Sequence, residues 1–301
     1  MLGVRRVIGA VGRALITAGI LILLFVAYQL WGTGVLEARG QSELRDDFER
    51  ELAKRPAATA PTSTTQPPAS TTTTTTAPPP VPAGGEAVGL IRIPKIGVDK
   101  AVVEGTTVGD LRKGPGHYTG TPLPGQLGNA AIAGHRTTYG APFGDLDQLA
   151  RGDVISVQTL SGTFDYEVMQ DGVFVVKPSQ TEVLDPTPDT ATLTLTSCNP
   201  KYSARERLIV KAQLAPGEPP PQPPPGDVRL PEDLDAGLSG TRGSRAPAVV
   251  WGAVVALVGG LWFLAFHRYH RWTTWLAGAI PFAVVLAVLY FYLERVLPSN
   301  Y

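Results

Sequence analysis

Cysteine is nearly missing from this chain: 301 residues contain one, Cys198. One cysteine excludes an intramolecular disulfide and a Cys-rich zinc site. Histidine is scarce as well, four in all, and no acidic cluster suggests calcium, so no metal and no cofactor is expected. Net charge is zero, from 26 basic and 26 acidic side chains. The chain therefore lacks the basic footprint of a nucleic-acid binder, and no nucleic-acid partner is expected. A free thiol outside the cell is open to oxidation, so keeping one there points to use. Buried free cysteines are also common, which leaves packing as a second reading.

Apolar residues are plentiful but unevenly placed. The run "VIGAVGRALITAGILILLFVAYQLW", residues 7–31, exceeds the about 20 residues needed to cross a hydrocarbon core. Arg5, Arg6 and Arg13 lie at its start, which puts that end in the cytoplasm and the chain after Trp31 outside. No small-x-small cleavage site follows, favouring an uncleaved anchor over a signal peptide. Residues 1–31 are thus read as cytoplasmic N-terminus and transmembrane helix, and 32–86 as a juxtamembrane segment and spacer. Within the latter, residues 37–54 are charged and suit a short helix. "RPAATAPTSTTQPPASTTTTTTAPPPVPAGG", residues 55–85, has no apolar periodicity and reads as an extended, disordered tether.

Residues 87–214 alone look globular, and their length suits one domain. "VGLIRIP", "NAAIAGHR", "DVISVQTLSGTFDYEVMQ", "GVFVV", "ATLTLTSC" and "RLIVKAQL" read as strands, and "FGDLDQLA", residues 143–150, as one short helix. Many short strands with few helices predict an all-β barrel or sandwich. A Pro-rich spacer occupies 215–246. Apolar runs near 247–266 and 273–293, separated by "HRYHRW", predict a two-helix transmembrane hairpin over 247–293 with its basic turn in the cytoplasm. Residues 294–301 are then an extracellular tail, and the protein is a multi-pass cell-membrane protein with its domain outside.

The chemistry centres on "TLTSCNP", residues 194–200. Strand alternation puts Thr192, Thr194, Thr196 and Cys198 on one face, with Leu193, Leu195 and Ser197 on the other. Cys198 sits near the strand's end, a place both rigid and reachable. On its own that position leaves nucleophile and packed thiol equally open. A thiol nucleophile needs a base or cation nearby. His267 and His270 fall in the cytoplasmic connector, leaving His117 and His135, and the strand-end position favours His135. A guanidinium offers several donors to a developing oxyanion. Arg205 and Arg207 share strand parity, but Arg207 opens "LIV" and a returning antiparallel strand would carry it back towards Cys198.

These residues together resemble a sortase. "TLTSC" matches the family's Thr-Leu-x-Thr-Cys with Ser197 in place of Thr, His135 lies 198 − 135 = 63 residues before the Cys, and "RLIV" supplies Arg207. "AGHRTTYGAPFGDLDQL" is close to the form in actinobacterial class E sortases. The resemblance covers residues 87–214. It implies an eight-stranded β-barrel with short helices and a cysteine transpeptidase. By that likeness Cys198 attacks the Thr–Gly bond of a C-terminal sorting signal on a secreted protein. His135 serves as acid and then base, Arg207 holds substrate and oxyanion, and a cell-wall peptide amine resolves the thioester. The expected signal is Leu-Ala-x-Thr-Gly or Leu-Pro-x-Thr-Gly. Thr196, Ser197 and Tyr118 are carried over as substrate-binding, and the loop at 177–190 as a wall of the groove. The C-terminal hairpin departs from the common pattern of a single anchor, and its role is open. The alternatives are a silent extracellular β-barrel binding module and a pilus-assembling sortase. A cysteine protease of unrelated, helical fold disagrees with the strand-rich pattern.

Overall fold

The computed structural model describes residues 2–54, 82–218, 245–268, 272–294 and 296. They form two compact units, residues 34–218 in one and residues 2–33 with 245–296 in the other. Most of the Pro/Thr tether, the Pro-rich spacer beyond 218, the connector at 269–271 and nearly all of the tail lie outside the described residues.

In the first unit eight strands close into a barrel. They are β1 (Ala87–Ile93), β2 (Val98–Glu104), β3 (Gly116–His117), β4 (Gly128–Ala133), β5 (Val154–Thr159), β6 (Gly162–Val176), β7 (Ala191–Asn199) and β8 (Glu206–Leu214). Around the barrel the order is β1-β2-β3-β4-β7-β8-β6-β5. β4 and β7 run parallel, and β7 and β8 antiparallel. Inward-facing Ile91, Val102, Ile132, Val157, Leu195 and Val210 fill the interior, following the strand period of two. The segments "FDYEVM" and "GVFVV" are one strand, β6, with a register shift between Val168 and Val173. The expected helix at 143–150 is only a 3-10 turn, Leu146–Gln148. Its bonds run three residues back, Gln148 N–H to the Asp145 carbonyl and Leu149 N–H to that of Leu146, so no α-helical turn closes.

β2 escapes a reading by alternation because both its faces are covered. Its residues from Ala101 to Glu104 are all buried. The outer face lies under helix α2 (Thr33–Ala53), whose Leu44 and Phe48 pack on Leu90, Ala101 and Val103. The charged segment expected as a short helix is therefore 21 residues long and seated on the barrel. Gln41 joins it there: its amide accepts from Ala101 N–H at 2.7 Å and donates to the carbonyls of Ala101 at 2.9 Å and Lys113 at 2.8 Å.

The second unit holds α1 (Leu2–Ala27), α4 (Ala246–Arg268) and α5 (Trp272–Glu294); a four-residue helix, α3 (Val108–Leu111), belongs to the barrel unit. Among the described residues three helical segments are long and apolar enough to cross a membrane, one from Val11, one at Ala246–Phe266 and one at Trp275–Glu294. The C-terminal pair is two separate helices. It also packs on the N-terminal helix: the Tyr290 hydroxyl donates to the Leu21 carbonyl at 2.6 Å, and the Tyr290 ring meets Phe25 edge-on at 5.1 Å.

Candidate active site

Three strand ends meet on the outer face of the barrel. Cys198 on β7 and Arg207 on β8 are direct register partners, so their side chains leave the sheet on the same face. Arg205 is exposed in the preceding turn, which separates the two arginines that parity cannot. On the other side of β7, Ala133 pairs with Thr196, and Gly134 N–H donates to the Thr196 carbonyl at 3.0 Å. Two residues beyond that pair come His135, in the loop just past the end of β4, and Cys198, still on β7. Residues 131, 133 and 135 share one parity, and Ala131 and Ala133 already pack with Cys198 and Ile209 outside the barrel. Cys198 is 2% exposed, Arg207 2% and His135 6%, so the site is covered.

Local packing sets each group. Gly134 is required before His135 because a Cβ there would stand 2.5 Å from the Phe143 ring. Phe143 N–H in turn donates to the His135 carbonyl at 3.0 Å. The imidazole Nδ1 lies 3.3 Å from the Thr138 hydroxyl, and its ring lies 4.9 Å from that of Tyr139. Arg207 Nη1 donates to the carbonyls of Ala204 and Glu206 at 3.1 and 3.0 Å. Its buried Nε has no hydrogen-bond partner among the described residues. Leaving a charged donor unpaired in the interior is costly, and a ligand oxygen would relieve it.

The remaining sequence candidates fall close by. The Tyr118 hydroxyl and Thr196 Oγ1 are 2.9 Å apart and buried, and Tyr118 packs in the same cluster as Cys198. Ser197 faces the other way, donating to the Gly134 carbonyl at 2.8 Å. The 177–190 loop carries a 3-10 turn, Thr181–Leu184, whose Val183 and Leu184 also join the Cys198 cluster. Asn129, which the sequence does not single out, fixes this loop: its amide donates to the Val183 and Asp185 carbonyls at 3.0 and 3.1 Å and accepts from Thr194 at 2.7 Å. His117, the rival histidine, is a core residue. Its Nδ1 is 2.7 Å from Glu104 Oε2, and its Nε2 is 3.0 Å from the Pro122 carbonyl. Among the described residues no group of three His, Cys, Asp or Glu side chains could hold a metal. At the rim, a hydrogen bond from Lys201 holds the Asp145 carboxyl below its usual range and ties the loop after β7 to the loop after β4.

A strand-end cysteine with an arginine opposite it on one neighbouring strand and a histidine just past the end of the other has the residue types that acyl transfer needs. The model of the sortase domain matches residues 91–215. The chain belongs to the sortase family. It is 33% identical over 224 residues to sortase SrtE1 of Streptomyces coelicolor, covering 68% of this chain and 56% of that one. Sortase SrtE2 of the same organism is 28% identical over 231 residues, covering 69% and 82%. Among solved structures, a single-residue variant of sortase E from Streptomyces avermitilis is 36% identical, with 46% of this chain and 97% of that one covered at a TM-score of 0.40. The chain thus spans a little over half the length of SrtE1.

Proposed function

We infer that this sortase is a membrane-anchored transpeptidase of the class E type, with Cys198 as nucleophile, His135 as acid and base, and Arg207 as oxyanion and substrate donor. What carries the reading is the cross-strand pairing of Cys198 with Arg207, with His135 two residues past the end of β4, the strand on the other side of β7. The Cys198 thiolate adds to the carbonyl of the Thr–Gly bond in a Leu-Ala-x-Thr-Gly or Leu-Pro-x-Thr-Gly signal. Arg207 Nε donates to the oxyanion. The tetrahedral adduct collapses as the His135 imidazolium protonates the departing glycine amine, leaving a thioester on Cys198. An incoming amine of a cell-wall peptide attacks that thioester, His135 takes its proton, and the thiolate departs. Because Cys198 is 2% exposed, a bound peptide displaces covering side chains, and the nearest to do so are Val183 and Leu184 of the 177–190 turn, which pack in its cluster. The domain works outside the cell, held at the membrane surface by the apolar helices, where a membrane-tethered substrate is at high effective concentration.

The test uses the full chain and Cys198→Ala in detergent, with a Leu-Ala-x-Thr-Gly peptide and an amine acceptor, followed by mass spectrometry. Cleavage after Thr with amide product, from wild type only, is expected. Cleavage without amide would indicate a hydrolase. The absence of both cleavage and covalent adduct with either signal type would leave a binding module on the same fold.

A further inference from the structure

The residue after the histidine is buried and charged, and the acyl-transfer steps above do not use it. Arg136 is 5% exposed. Its Nη1 donates to the Cys198 carbonyl at 3.0 Å and to Asn199 Oδ1 at 2.8 Å. Its Nη2 lies 3.1 Å from Asp147 Oδ1, and its Nε donates to the Gly144 carbonyl at 3.4 Å. All three guanidinium nitrogens are engaged, so the group has one orientation.

The position of that bond in the ladder gives it meaning. In a parallel pair, successive bonds advance two residues on each strand. Gly134 N–H donates to the Thr196 carbonyl, so the next bond would run from the backbone N–H of residue 136 to the carbonyl of Cys198. β4 ends at Ala133, and the chain turns away into the loop that carries His135. The Cys198 carbonyl would lose its partner there. The side chain of Arg136 takes it instead, with a charge-assisted bond in place of a neutral one. The same nitrogen holds Asn199, whose Nδ2 donates to Glu206 Oε2 at 2.9 Å, next to Arg207. One guanidinium therefore ties together the ends of β4, β7 and β8.

We propose that Arg136 is the positioning residue of this active site. It replaces the ladder bond that β4 gives up when His135 leaves the sheet, and so keeps Cys198 in register between His135 and Arg207. Lysine places a point charge on a flexible stem and cannot reproduce the fork, so Arg136→Lys should restore function only in part, and Arg136→Gln should lose most of it. This rests on the transpeptidase reading, and the experiment separates the two.

The full chain is prepared in detergent as wild type, Cys198→Ala, Arg136→Gln and Arg136→Lys. Three quantities are read: peptide turnover with an amine acceptor, the thermal midpoint, and the rate at which iodoacetamide alkylates Cys198 well below that midpoint. For Arg136→Gln, kcat per folded molecule should fall at least about tenfold with KM within about threefold, as expected when a reacting group is misplaced by a fraction of an ångström. Arg136→Lys should lie between Arg136→Gln and wild type, and alkylation should rise severalfold in Arg136→Gln as the strand end loosens. A kcat within about twofold of wild type, or a loss that merely tracks the unfolded fraction, overturns the proposal. If wild type turns over no peptide, the transpeptidase reading fails and the alkylation rates still judge Arg136. Equal rates in wild type and Arg136→Gln overturn the proposal, and a severalfold rise supports it.

Discussion

Gln41 offers the sharpest test of whether helix α2 is part of the catalytic unit or a mere connector. At Ala101 the edge of β2 away from β1 has no strand beside it among the described residues, because β3 joins only at Val103 and Glu104. The Gln41 amide fills the gap as a peptide group would, accepting from Ala101 N–H and donating to the Ala101 carbonyl. Gln41→Ala removes these bonds and the one to the Lys113 carbonyl. Each buried group left unpaired costs about 1–3 kcal/mol. Partial access of water to the emptied site lowers the sum, so the expected loss is about 2–4 kcal/mol. For a domain of this size a loss of 1 kcal/mol lowers the melting midpoint by about 2–4 °C, so a fall of roughly 5–15 °C is expected. Gln41→Leu keeps the volume but not the bonds and should fall nearly as far. Differential scanning fluorimetry measures the midpoint, and hydrogen exchange at the Ala101 amide localises the change. A drop of less than about 2 °C, with Ala101 still protected, would refute the idea that α2 seals the barrel edge.

Arg207→Lys keeps a positive charge but removes the Nε donor. Peptide turnover should fall about 10²-fold or more, read as kcat with the fold checked by circular dichroism. Tyr118→Phe leaves the Thr196 hydroxyl without its 2.9 Å partner and should cost about 1 kcal/mol in denaturant unfolding. Burial pushes the Tyr166 phenol up to about 12. Between pH 10 and that value the unfolded chain has released its proton while the folded barrel keeps it, so the stability this group contributes is full below pH 10 and is lost as pH rises towards 12. Tyr166→Phe should flatten that part of the stability profile by roughly 2–3 kcal/mol, although it starts lower because Gly125 N–H loses its acceptor.

The part of the site that lies on alternating strands was legible from the sequence. β7 keeps its period, with leucines inward and threonines outward, so the face of Cys198 follows from counting. Arg207 followed from its place at the start of a strand that returns antiparallel. β2 was not legible, because α2 buries the face that would otherwise be polar. The docking face of α2 left a trace of its own: Glu37, Gln41, Leu44 and Phe48 are all buried, and their spacing of four, three and four residues lines one side of a helix. Two of the four are polar, so a search for apolar periodicity passes over them. Their partners are a strand edge and the Lys100 ammonium, 2.7 Å from Glu37.

Arg136 was hidden for a different reason. In sequence it is one charge in a loop beside a more conspicuous histidine, and nothing in its spacing marks it as buried. Its meaning depends on register. Only when Ala133 is known to pair with Thr196 does the Cys198 carbonyl become the next acceptor in line. The chain leaves the ladder after Ala133 into the loop that carries His135, and doing so strips the Cys198 carbonyl of the backbone bond that would come next. The adjacent arginine solves this local problem with a side chain long enough to reach back across the turn. The short "GHR" stretch thus holds a break in the sheet, the group the break releases, and the group that repairs it. A shorter side chain at position 136 could not span the turn, and a neutral one would give a weaker bond, so the chemistry of Cys198 and the geometry of β4 constrain the same residue.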